Sequence, residues 1–225
     1  MACSKPVAKL PQRMISGSLE PTIPATVITI QTVLHPQNRM LKHSIFIGNG
    51  RARSDDELDR WRLFDLENNS VTYVDDLAKT YYTVPGGAPP PSGAATAEGR
   101  GAPQLQATGA KRVVMGVEAT QILIRLGAYQ RELWMGTPAS IPPQLFGMMN
   151  AEFATLRGFP LADHSELPYG KSKLVVDRNV VKIEQRNVPL SLLNVRRGYK
   201  DITAPAGSRP PASSPQRDRS TRATG

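Results

Sequence analysis

The residues of this chain with the strongest capacity for chemistry are three histidines, one cysteine and a few clustered acids. His35, His43 and His164 lie too far apart to form a helical metal pair, and no cysteine joins them, so each reads as a surface or turn histidine. Ala162-Asp163-His164-Ser165-Glu166 gathers the residue types of a nucleophilic triad within one predicted loop. Neighbours in a loop rarely reach triad geometry, and no Gly-x-Ser-x-Gly elbow is present. Pro168-Tyr169-Gly170-Lys171-Ser172 ends like a phosphate-binding loop, but its required first glycine falls at Ser165. Asp55, Asp56, Glu57 and Asp59 lack the spacing and glycine of a calcium loop and read as a solvated turn. Asn68-Asn69-Ser70 is formally a glycosylation acceptor that a tight turn also explains. The expectation is a protein without catalytic residues, metal or cofactor, and therefore not an enzyme.

Cys3 cannot form an internal disulfide alone. Met1-Ala2-Cys3-Ser4-Lys5 looks like the end of a bacterial lipobox without the apolar stretch that should precede it. Two explanations stand open: Cys3 is a lipidation site at the start of a mature lipoprotein, or it is a cysteine in a floppy terminus. No stretch approaches the roughly 20 apolar residues of a transmembrane helix.

The net charge of +9 suits acidic partners such as an anionic membrane surface. The basic residues are dispersed, and several, Arg209, Arg217, Arg219 and Arg222, crowd the tail. Aromatic residues make up only 6% and do not interleave with basic ones, which argues against nucleic acid as a partner.

The elements that must position any site are mostly strands. Period-two alternation places them at about 26–34, 43–49, 60–66, 70–75 and 79–84, with turns at Glu67-Asn68-Asn69 and from Asp75 to Lys79. Short connections of this kind make antiparallel neighbours. Pro85 to about residue 110 is rich in Pro, Gly and Ala and reads as a flexible loop inserted in one sheet. Beyond it Val113, Met115 and Val117, then Ile122, Ile124 and Leu126, then Leu133 to Met135 read as further strands, followed by the only good helix signal. Ser140 is its cap, Leu145, Met149, Phe153 and Leu156 its apolar stripe and Gly158 its exit. Strand returns from Lys171, with a bend predicted at Asp177-Arg178-Asn179. The predicted layout is a disordered lead-in over 1–22, one domain over 23–203 and a disordered basic tail over 204–225.

In their order, Trp61 to Val84, Met115-Gly116-Val117-Glu118-Ala119, Arg131-Glu132-Leu133-Trp134-Met135, Ile141-Pro142, Gly158-Phe159-Pro160-Leu161 and Val195-Arg196-Arg197-Gly198-Tyr199-Lys200 resemble the LolA and LolB lipoprotein-carrier superfamily, and within it bacterial envelope families of unknown function. The resemblance covers about Val27 to Ile202 and implies a mainly β, α+β fold: a curved antiparallel sheet forming an incomplete half-barrel with a helix packed in its concave face. An unclosed barrel leaves a concave apolar surface too wide for its own side chains to fill. The implied function is non-enzymatic binding of a lipid, lipoprotein or other hydrophobic ligand by a monomer in the periplasm or attached to the outer membrane. The alternative is a structural or sensory module that meets an envelope protein partner through a packed interior without ligand. Trp61, Leu63, Ile122, Ile124, Trp134, Leu145, Met148, Met149 and Phe153 are the expected interior residues and candidate ligand contacts, the methionines because flexible thioethers adapt to varied acyl shapes.

Overall fold

A computed structural model of the chain describes residues 20–55, 59–86, 104–150, 155–170 and 172–203. Cys3, Phe153, the lead-in before residue 20, most of the Pro/Gly/Ala tract and the basic tail lie outside the described residues.

Among the described residues, twelve strands form one curved, unclosed sheet. The first six run as an antiparallel meander: β1 (Thr22–His35), β2 (Arg39–Gly48), β3 (Arg51–Asp55), β4 (Arg60–Asp65), β5 (Ser70–Asp75) and β6 (Thr80–Pro85). A second meander follows with β7 (Gln104–Val114), β8 (Val117–Leu126), β9 (Tyr129–Gly136), β10 (Phe159–Tyr169) and β11 (Ser172–Pro189). The long β11 pairs with β1 from Thr22↔Pro189 to His35↔Val175 and joins the two meanders edge to edge. The short β12 (Lys200–Asp201) adds in parallel to β6, so β12 and β7 are the two free edges.

Turn chemistry sets the meander. At the β4–β5 corner the Asp65 carboxylate accepts the backbone N–H groups of Glu67 and Asn68, and Asn69 takes φ 47°. At the next corner Asp75 accepts the Ala78 N–H and Lys79 takes φ 52°. Such aspartates replace a backbone turn bond with a side-chain one, as the predicted turns require.

Several boundaries differ from the sequence reading, each for a local reason. The stretch from Lys42 to Asp55 belongs to two strands, with Asn49 at φ 51° and Gly50 at φ 68° forming the hairpin turn between β2 and β3. β7 begins at Gln104, inside the stretch expected to be loop, and from Gln104 to Val113 every residue is exposed, so no apolar alternation marks it. Met115 is not a strand residue: at φ 53°, followed by Gly116 at φ 77°, it turns β7 into β8. Asp177-Arg178-Asn179 makes no bend, because the irregularity lies further along, where Val181 has no counterpart between Thr29↔Lys182 and Ile30↔Val180. That bulge lets Val180 and Ile183 share one face despite their odd spacing.

The expected long helix is a five-residue α1 (Leu145–Met149). Gln144, not Ser140, occupies its N-cap position, without a side-chain cap bond. The chain leaves this region through Gly158, at φ 95°, where an added Cβ would stand 2.6 Å from the Gly136 carbonyl oxygen. Only a glycine meets both demands there.

Ile28, Ile45, Phe64, Ile124 and Leu133 lie on one face of the sheet, called here the front, and pack with Ile141, Leu145, Phe146 and Met148 from the segment between β9 and β10 into the main core. On the back of the first meander, Trp61, Leu63 and Val74 pack with Leu193 of a 3-10 turn, and Ala25 and Val27 with Val188. Chain after that turn is strapped to the sheet edge: Lys200 N–H donates to Lys79 O at 2.9 Å and Ile202 N–H to Tyr81 O at 2.8 Å.

Candidate functional site

The core under α1 ends at a polar margin where β1, β9, β10 and β11 run side by side. The registers Asp163↔Arg178, Ser165↔Arg131 and Thr32↔Arg178 bring these residues onto the front face, in line with the core positions Leu133 and Val180. Asp163 belongs to a strand rather than to the predicted loop, and its side chain is 4% exposed.

Its carboxylate is the hub of the site. Arg131 holds it with two bonds, Nε to Oδ1 at 3.1 Å and Nη2 to Oδ2 at 2.8 Å. Arg178 Nη1 reaches Oδ2 at 3.2 Å, and the Ser165 hydroxyl donates to Oδ1 at 2.9 Å. Burial pulls the Arg131 pKa down, but the hydrogen bonds and charge of Asp163 outweigh it and leave the guanidinium above its ordinary value. A two-pronged arginine–carboxylate pair fixes orientation as well as charge.

Over this floor opens a cleft of about 470 Å³. Its lining mixes apolar residues, Ile30, Phe146, Met149, Phe159 and Val180, with polar and basic ones, His43, Arg62, Tyr129, Arg131 and Arg178. Arg62 Nη1 donates to the Met149 carbonyl at 3.0 Å, and its guanidinium stands 5.3 Å from the Phe64 ring centre, tying α1 to β4. Asp55 at the rim is bridged by Arg53 Nε at 2.7 Å.

A shallower groove of about 390 Å³ on the back of the second meander is lined by Arg112, Glu132, Trp134, His164, Asp177 and Asn179. Here Asp177 is bonded to two imidazoles, His35 Nε2 at 3.1 Å and His164 Nδ1 at 2.7 Å. The bond to Asp177 raises the His164 pKa above its ordinary value, against the opposing pull of burial. Among the described residues, no three His, Cys, Asp or Glu side chains come together as a metal would need.

The structure distributes the candidate contacts instead of assembling them. Trp61 and Leu63 lie on the back, Trp61 Nε1 donating to Asp76 at 2.9 Å with the Arg53 guanidinium 4.0 Å from its ring centre. Trp134 lines the back groove under Arg112, again at 4.0 Å, and donates to Glu132 at 2.6 Å. Ile122, Ile124, Leu145 and Met148 belong to the front core, and among the described candidates Met149 lines the cleft. Alternation within β4 separates them: Trp61 and Leu63 share one parity, Arg62 and Phe64 the other. Reasoning from apolar residues missed Asp163, Arg131 and Arg178, for which the available signal was an acid and two arginines standing inside apolar alternation.

Fold and cleft together define a class: a single unclosed, mainly antiparallel sheet with a short helical segment packed on one face and a mixed apolar and basic cleft beside it. No family model matches the chain, and neither does any curated protein. Among solved structures, PNGF-II in its C2 crystal form is similar at a TM-score of 0.50 with 12% identity, over 82% of this chain and 31% of that one. The P21 form of PNGF-II gives 0.47 and 12%, over 81% and 32%. This chain spans about a third of the length of those two chains, and the likeness is one of fold alone. A LolA superfamily protein from Nitrosomonas europaea overlaps at a TM-score of 0.21 with 8% identity, over 78% of this chain and 91% of that one, too slight to carry an argument.

Proposed function

We propose that this is a non-enzymatic binding protein that holds a lipid or other hydrophobic ligand in the front cleft, with the α1 segment as the roof on the concave side of the sheet. The observation that carries the reading is the set of apolar residues Ile30, Phe146, Met149, Phe159 and Val180 lining a cleft of about 470 Å³. Pockets for small ligands span about 300–1,000 Å³ and pair a mostly apolar lining with a few placed polar groups. The polar groups at hand favour holding over reacting. Ser165 donates to a carboxylate already occupied by two guanidiniums, so the pair is neither an activated nucleophile nor a free base.

Nile red, a neutral dye that brightens in apolar surroundings, tests this reading. The wild-type protein is expected to take it up, and Met149→Glu, which places a carboxylate in the apolar lining, to weaken uptake about 10-fold or more. Native mass spectrometry of protein purified without detergent should show a co-purified adduct. Undiminished uptake by the variant counts against the cleft. Absence of both dye binding and adduct favours the second reading, a packed interaction module, which the close packing of Leu145, Phe146 and Met148 on the front core supports.

A further inference from the structure

We propose that the cleft contains an oxyanion subsite built on Arg178, with Arg62 lining the same cleft, which selects single-chain amphiphiles ending in a carboxylate or a phosphate. The inference rests on the ligand reading above and adds to it the head group.

Charge count and geometry both lead there. Asp163 is one carboxylate facing two guanidiniums, and both of its oxygens are already in use. Arg131 commits two nitrogens to it and is 11% exposed, so it is the structural partner. Arg178 gives Asp163 a single Nη1 bond, and its side chain is 42% exposed where it lines the cleft. A guanidinium offers five N–H donors in a planar fork, so Arg178 retains donors for an oxyanion after that one bond. Arg62, bonded to the Met149 carbonyl, lines the same cleft. The other lining acid, Asp55, is shared with Arg53, which is not among the lining residues.

A bond from the charged guanidinium of Arg178 to an oxyanion is stronger than one between neutral groups. A free anion would satisfy the arginine but leave the apolar lining exposed, and a plain hydrocarbon would cover the lining but not the arginine. One molecule with an oxyanion at the end of an apolar chain covers both. Carboxylate and phosphate share this chemistry, and the two head groups are separated by the test.

The test is displacement of Nile red by dodecanol, dodecanoate and dodecyl phosphate, each below its micelle concentration, from wild-type protein and from Arg178→Gln, Arg178→Lys and Arg62→Gln. In wild type either anion, or both, should displace the dye at about 10-fold lower concentration than dodecanol, the scale of one charge-assisted contact. The better of the two names the head group. Arg178→Gln should remove that advantage while leaving dodecanol unchanged, Arg178→Lys should restore part of it, and added salt should weaken the anions alone. Thermal melts establish that each variant is folded, and Arg62→Gln and Arg178→Lys carry the comparison if Arg178→Gln is not. Dye binding with equal displacement by all three ligands overturns the subsite and leaves the hydrophobic cleft standing, as does an advantage that survives the Arg178 and Arg62 variants. Failure of wild type to bind the dye overturns the ligand reading and the subsite with it.

Discussion

Asp163 and Asp177 stand one register step apart on the paired strands β10 and β11, facing opposite sides of the sheet, and each is held by two basic side chains. On the front, Asp163 is 4% exposed and bound by arginines, which stay charged at every physiological pH. On the back, Asp177 is 32% exposed and bound by His35 and His164. Asp163 accepts four bonds and Asp177 two, and burial raises the stakes of the first set further. Removing water from a carboxylate makes its partners obligatory, whereas water can replace the partners of an exposed one. The front pair therefore anchors the cleft, and the back pair adjusts stability with pH.

The largest effect should come from Asp163→Asn, which leaves the Arg131 and Arg178 charges without this counter-ion. Breaking a buried pair by removing one partner costs about 3–5 kcal/mol. Urea unfolding should show a loss on that scale, and a loss under about 1 kcal/mol would mean that solvent reaches Asp163 far more freely than its burial implies.

A smaller, pH-dependent effect is expected at Asp177. His164 faces Asp177 and Glu166, whose Oε1 lies 3.7 Å from Nε2; Lys173 pairs with Glu166, and His35 shares Asp177. The His164 pKa is raised from 6.5 in the folded state, so the folded form binds the proton more tightly than the unfolded one. The contribution is fully present below pH 6.5 and fades as pH climbs through the raised folded value. His164→Gln should lower the thermal midpoint relative to wild type at about pH 5.5 and have little effect at about pH 9. A deficit of the same size at both pH values would assign His164 a packing role instead.

The same contrast explains what the sequence disclosed. Turns at Glu67-Asn68-Asn69 and Asp75 to Lys79 were legible because their aspartates and asparagines act locally, through bonds two or three residues long. β3 was not, because Arg51-Ala52-Arg53-Ser54-Asp55 shows no apolar alternation; Arg53 is buried because it lies over Trp61 and bonds Asp55. The apolar spacing of Leu145, Met149 and Leu156 suggested one continuous helix, but α1 stops at Met149, and Leu156 packs against the core from outside it. The cleft was the least legible feature. Arg131, Asp163 and Arg178 come from three strands, and only their cross-strand register reveals that they meet.

Lys111 and Glu118 extend the comparison to full exposure and carry the smallest expected effect. They form a cross-strand pair on the β7–β8 hairpin with Nζ 2.9 Å from Oε1, at 61% and 66% exposure. Water screens the attraction, and ordering two long side chains opposes it, so many pairs of this kind contribute nothing measurable. Lys111→Gln should leave the thermal midpoint within experimental error at physiological salt. A clear drop would show that contact distance, rather than burial, ranks these acid–base contacts, and the ordering of Asp163 over Asp177 over Glu118 would lose its physical basis. An unchanged midpoint beside a large Asp163→Asn effect would leave burial as the variable that separates three contacts of nearly equal length.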